Sequence, residues 1–228
     1  MTEAHGMGKT SIMIGPSNSM TAALGRALGI DDVQGLPDFD GGGSASPSVD
    51  PWSWSWAPRI QRWSDEFRTS DQRKQVVVCC WNEVPAIRFV DLGPAEWMER
   101  LEWHMAVSFA ALRSAGDVCG DGGSIVIVVE RPYALDAEGY STTVAAAEGI
   151  LSLGRSMAAS LGSRSIRVNG ITTELTTAPD VPAGPPVFLP TFPGRIETEV
   201  AGAVRFLLSD ESAGLTGSVL TADCGRTP

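Results

Sequence analysis

Basic residues are the first shortage in this chain. Lys and Arg number 17 against 27 Asp and Glu, for a net charge of −10. The few cations gather into no stripe, so a nucleic-acid backbone would be repelled, not neutralised. Anionic membrane surfaces are excluded as partners for the same reason. Cysteine is scarce too. Cys79, Cys80, Cys119 and Cys224 form no CxxC pair, and two of them are adjacent inside an apolar run. That spacing excludes a zinc signature and a secreted disulfide framework, and it reads as the reduced thiols of a cytoplasmic protein. No stretch approaches the roughly 18 apolar residues of a membrane helix. The opening MTEAHGMGKTS lacks the hydrophobic segment of a signal peptide. Finally, no lysine follows Lys74.

What remains is enough for one domain: 228 residues, 43% hydrophobic and 19% charged. SIMIG (11–15) reads as a short strand, and SMTAALGRALG (19–29) as a helix with Gly29 at its C-cap. Residues 31–58 form an irregular Gly/Ser/Trp-rich stretch, followed by the polar, amphipathic RIQRWSDEFRTSDQRK. QVVVCCW (75–81) and GSIVIVVE (123–130) are apolar throughout, as strands buried on both faces of a parallel sheet are. Between them lies a long helix, 93–116, with Trp97, Leu101, His104, Met105, Ser108 and Leu112 near one face. A second long helix, 142–161, leads into the strand SIRVNGI (165–171). A Pro-rich loop spans 172–194, a helix 197–210 and a last strand 217–223. Strands and helices alternate to the end. The pattern predicts a single α/β domain over 1–228, a Rossmann-like doubly wound parallel sheet with a degenerate second β-α unit.

Two local motifs have plain readings. GMGKTS (6–11) lacks the full GxxxxGK[ST] spacing and a preceding strand, so it reads as the lead into the first strand. WSWSW places Trp52, Trp54 and Trp56 on one face of an extended segment. It reads as a buried flap, a protein contact or a ligand platform.

Three stretches carry a resemblance. EGILSLGRSMAASLGSRSIRVNGI, GRIETEVAGAVRFLLSDESAGLTGSVLTADCG and AEWMERLEWHMAVSF resemble the short-chain dehydrogenase/reductase family: its active-site helix and next strand, its C-terminal segment and its interface helix. The likeness covers about residues 70–225. The family's TGxxxGxG cofactor turn matches IGPSNSMT, where Gly15 is kept but Ser19 and Thr21 replace the later glycines. Pro16 removes a backbone donor from that turn. Trp81 follows Cys79 and Cys80 where the family has Asn-Asn-Ala-Gly, which sets an indole where the cofactor ribose passes. The family's asparagine falls at His104, its serine at Glu130, its tyrosine at Thr143 and its lysine at Ala147. Its Pro-Gly becomes Thr173-Glu174. Asp38 and Asp40, the candidates for reading the adenosine ribose, lie in a turn-like sequence.

An alanine cannot hold a cofactor hydroxyl, and a threonine is too weak an acid to replace a phenol. A carboxylate at position 130 has the wrong sign to stabilise a developing alkoxide. The resemblance therefore implies no catalytic residue, no cofactor and no metal in this chain. It implies a non-catalytic subunit that pairs, through helices 94–115 and 142–161, with an active paralogue carrying NAD or NADP. A coenzyme A thioester or a similar hydroxy or keto compound is the implied substrate class, and a hetero-oligomer the implied assembly. Two alternatives stay open. One is an enzyme of another class with Tyr140, His104 and Glu130 as a relocated acid–base site; the other is a ligand sensor. The plainer reading makes His104 a partly buried polar residue and Glu130 a solvated strand end.

Overall fold

Two apolar runs set the architecture. In the computed structural model, β3 (Arg73–Cys80) and β4 (Cys119–Glu130) are buried without interruption over 76–80 and 123–130. A strand can lose water on both sides only when helices cover both faces. The structure describes residues 10–38, 57–67, 71–81, 84–132, 138–174 and 196–225.

The remaining strands are β1 (Ser11–Gly15), β2 (Val33–Gly35), β5 (Arg167–Thr173) and β6 (Val219–Thr221). All pairings are parallel, in the order β2-β1-β3-β4-β5-β6. The helices are α1 (Ser19–Leu28), α2 (Ala57–Phe67), α3 (Pro94–Trp97), α4 (His104–Val118), α5 (Ser141–Leu161) and α6 (Ala201–Leu208). A π-helical segment, Met98–Trp103, joins α3 to α4 into one continuous helix. A second such segment, Ile196–Val200, opens α6. The doubly wound parallel sheet expected from the sequence is the sheet observed.

Strand alternation divides the core in two. Ile12, Ile14, Val76, Val78, Cys80, Ile125, Ile127 and Val129 pack with α4 and α5. Met13, Val77, Cys79, Trp81, Val126, Val128 and Ile171 pack with α1 and α6. Below the sheet, three arginines satisfy carbonyls that helix ends leave over. Arg205 donates to Ala27 O at 3.0 Å and Arg164 to Gly116 O at 3.0 Å. Arg167 donates to Leu207 O, Ser209 O, Ser212 O and Ser212 Oγ at 2.8–3.1 Å.

Several boundaries differ from the sequence reading. The irregular stretch 31–58 contains β2, an edge strand of three residues held by the β1 ladder, and the start of α2. The loop set at 172–194 begins later, because Thr172 and Thr173 extend β5 beside Val129 and Glu130. Trp52, Trp54, Trp56, Asp40 and residues 175–195 lie outside the described residues.

Candidate functional site

A doubly wound sheet binds nucleotides where strand order reverses, outside the carboxyl ends of the strands. Here the chain leaves β1 for β2 on one side and returns to β3 on the other, so the reversal lies between β1 and β3. The β1 end is Gly15, followed by the turn Pro16-Ser17-Asn18 and α1. The β3 end is Cys80, followed by Trp81.

A side-chain hydrogen bond crosses that point. Trp81 Nε1 donates to Thr21 Oγ1 at 3.0 Å, and both side chains are buried, at 2% exposure each. Gly15 lies directly beneath. A Cβ there would come within 2.8 Å of Cys79 Cβ and 3.1 Å of Thr21 Cγ2. The glycine hydrogen thus makes room for a threonine and a cysteine of the same chain. The first turn of α1 is likewise occupied: Asn18 Oδ1 accepts from Thr21 N at 2.9 Å, the usual N-cap bond. Ser19 is exposed on the first turn. Asp38 is exposed three residues beyond the end of β2.

A dinucleotide pyrophosphate needs free backbone donors at a helix N-terminus and glycines that let it approach. Pro16 has no such donor, one first-turn amide is taken by Asn18, and Thr21 and Trp81 stand buried against each other. These residues do not fit the group.

The family's catalytic positions are also buried. Ala147 is 1% exposed and packs into the α4/α5 core cluster. Thr143 is 6% exposed, and its Oγ1 has no hydrogen-bond partner among the described residues. Glu130 is 3% exposed, which corrects the expectation of a solvated strand end. The physical reason is position: β4 is central, with β3 and β5 on either side. Cys80 is level with Val129, so Trp81 and Glu130 fall on the next rung, and Glu130 is level with Thr173. Alternation from Val128 turns Glu130 toward the α1/α6 layer. His104 and Tyr140 belong to elements of the opposite layer, at the start of α4 and the N-cap of α5.

His104 is more deeply buried than the sequence implied. Loss of water pushes its imidazole down to about 4, so it is neutral at pH 7. Burial also raises both adjacent thiols. Cys79 is raised further by Cys80. Cys80 is pushed up to about 12, slightly offset by a bond with Ser108. Neither is a nucleophile at neutral pH. Among the described residues no group of three or more His, Cys, Asp or Glu could hold a metal ion, and no helix is long and apolar enough to cross a membrane.

Among the described residues, two furrows open on the outer face of α4 and α5. An apolar furrow of about 550 Å³ runs between α2 and the Leu101–Arg113 stretch. A second, of about 320 Å³, runs between the C-terminal halves of α4 and α5. Phe109, Arg113 and Leu153 line both, and Phe109 is 54% exposed. Sequence periodicity singled out Leu101, Met105 and Leu112, which line these furrows, and missed Phe109. Its signal was an aromatic residue within the same helix.

A family model described as enoyl-(acyl carrier protein) reductase matches residues 58–227. The chain belongs to the short-chain dehydrogenase/reductase family. Solved members share its fold across nearly the full length. A blue fluorescent protein from a metagenomic library, in complex with NADPH, is 16% identical with a TM-score of 0.71, over 98% of this chain and 100% of that one. BdcA in complex with NADPH is 20% identical with a TM-score of 0.64, over 95% and 94%. A Serratia marcescens short-chain dehydrogenase/reductase is 18% identical with a TM-score of 0.59, over 98% and 100%. Within this short-chain dehydrogenase/reductase fold, the Gly15 turn, Thr21 and Trp81 occupy the switch point between β1 and β3.

Proposed function

We propose that this short-chain dehydrogenase-like chain is a non-catalytic subunit that assembles with an active NAD(P)-dependent relative and supports it. The relative carries the nicotinamide cofactor and the proton-transferring tyrosine and lysine. Its substrate class is a coenzyme A thioester or a similar hydroxy or keto compound. The observation that carries this reading is the buried Trp81–Thr21 hydrogen bond across the switch point. An indole held there and a cofactor ribose compete for one space. The core packing of Ala147 adds to it, since a methyl group can neither lower a phenol's pKa nor grip a ribose. The outer face of α4 and α5 keeps its furrows and an exposed aromatic residue, as an assembly surface does.

The test is a titration of the purified chain with NADH and NADPH, read by tryptophan fluorescence. No saturable quench is expected up to millimolar cofactor, and saturation in the micromolar range would overturn the reading. Co-expression supplies the second arm. Omitting this chain should abolish the relative's activity, whereas a stable, fully active relative alone counts against it. Activity of the assembled complex after His104→Ala and Glu130→Ala tests the relocated acid–base alternative: an unchanged rate removes it.

A further inference from the structure

Residues 98–103 are wound as a π turn between α3 and α4, one residue looser than an α-helix. Such a turn is uncommon and needs something to hold it. One side-chain bond does so: Trp97 Nε1 donates to Glu102 Oε1 at 3.2 Å. In an α-helix, residues five apart point about 140° away from each other and do not meet. Where the turn closes between residues i and i+5, they stack. We infer that the Trp97–Glu102 bond is a latch on this end of the helix. Closed, it keeps the π turn wound; released, residues 84–100 open. The inference goes beyond the assembly reading and holds for the isolated chain.

The two sides of the latch are held unequally. Downstream, Trp103, Val107 and Ala111 anchor α4 in the core. Upstream, the turn supports a loop. Arg100 Nη1 donates to Pro85 O, and Ile87 N donates to Gly139 O at 3.0 Å. Gly139 precedes α5 at φ +83°, and a Cβ there would lie 2.8 Å from Ala86 Cβ. The loop is therefore seated against the entrance of α5, beyond the carboxyl end of β4. No residue of 84–93 is buried, and Phe89 and Val90 at its tip are 71% and 82% exposed. With so little burial of its own, the loop takes its order from Arg100 and the turn that carries it. The input lies at the other end of the latch. Glu102 is the acidic residue among the described residues that line the larger furrow. A cation entering that furrow competes with the indole for the carboxylate, and a charged donor makes the stronger bond. Occupancy of the furrow is thereby passed to the 84–93 loop.

Hydrogen–deuterium exchange of the full chain, read by mass spectrometry, tests the latch, with far-UV circular dichroism to confirm folding. Glu102→Ala should speed exchange over 84–100 by about tenfold, as the loss of a bond to a charged group predicts. Glu102→Gln keeps an acceptor for the indole and should recover most of the protection. Ala106→Arg sets a guanidinium four residues after Glu102, the favourable order for an ion pair on a helix. It should draw the carboxylate away and speed exchange as Glu102→Ala does, while Ala106→Gln should not. Deleting the exposed Glu99 removes the extra residue and leaves Trp97 and Glu102 four apart in a plain α-helix. In that background Glu102→Ala should change exchange by less than about twofold, because α-helical geometry needs no latch. Unchanged exchange in Glu102→Ala, or an equal rise with and without Glu99, would overturn the inference. So would an Ala106→Arg chain as protected as the wild type. All of this is read on the isolated chain, so the latch can fail while the assembly reading stands.

Discussion

A methyl group on Gly15 would sit 2.8 Å from Cys79 Cβ, closer than two such carbons approach. Neither atom belongs to a flexible tip, so the backbones of β1 and β3 would have to part. Gly15→Ala is therefore expected to cost about 1–3 kcal/mol of stability, by overpacking. Cys79→Ala should not rescue it, since alanine keeps the offending Cβ. Urea unfolding of the two single variants and the double variant checks this.

Thr21→Val keeps the shape at the switch point but removes the acceptor of the Trp81 indole. A buried N–H left unsatisfied costs about 1–3 kcal/mol. Trp81→Phe removes the donor and leaves space behind it. The double variant should lose less than the two single losses added together, because both break one bond. Denaturation midpoints across the four proteins measure the difference.

Arg167 joins β5 to the end of α6 through four acceptors on Leu207, Ser209 and Ser212. The planar guanidinium reaches them simultaneously; an ammonium cannot. Arg167→Ala is expected to destabilise by about 2–3 kcal/mol, and Arg167→Lys to recover less than half of that. Thermal unfolding with a common buffer and scan rate tests both.

His104 sets an acid limit. Its folded pKa, about 4, lies below the ordinary value of 6.5 because burial disfavours the cation. The unfolded chain therefore binds this proton first as pH falls. The stabilisation is complete above about pH 6.5, shrinks between 6.5 and 4, and is gone below that. At about 1.4 kcal/mol per pH unit the loss is on the order of 3 kcal/mol. His104→Gln should flatten the slope of unfolding free energy between pH 6.5 and 5. An unchanged slope would refute the assignment to His104.

The sheet was legible because its strands carry their burial in their own composition. QVVVCCW and GSIVIVVE are apolar on both faces, and only a central parallel strand needs that. The three-residue β2 was not legible. Val33 is exposed, and the strand exists because β1 offers it a ladder. Glu130 was misread as solvated because a terminal carboxylate suggests water, while its burial comes from neighbours distant in sequence. At the switch point the substitutions Thr21 and Trp81 were readable one by one. Their mutual hydrogen bond was not, since nothing in the chain's order brings positions 60 apart together. The furrows beside Phe109 arise from the spacing of three helices, which periodicity within one helix does not encode.

The bond between the β3 terminus and the first turn of α1 also bears on what this fold depends on. Where a dissociable molecule spans two strands, stability follows that molecule's concentration through mass action. Trp81 is attached to the chain and cannot be diluted away. The span it makes is thus built into the fold and is present whatever small molecules surround the chain.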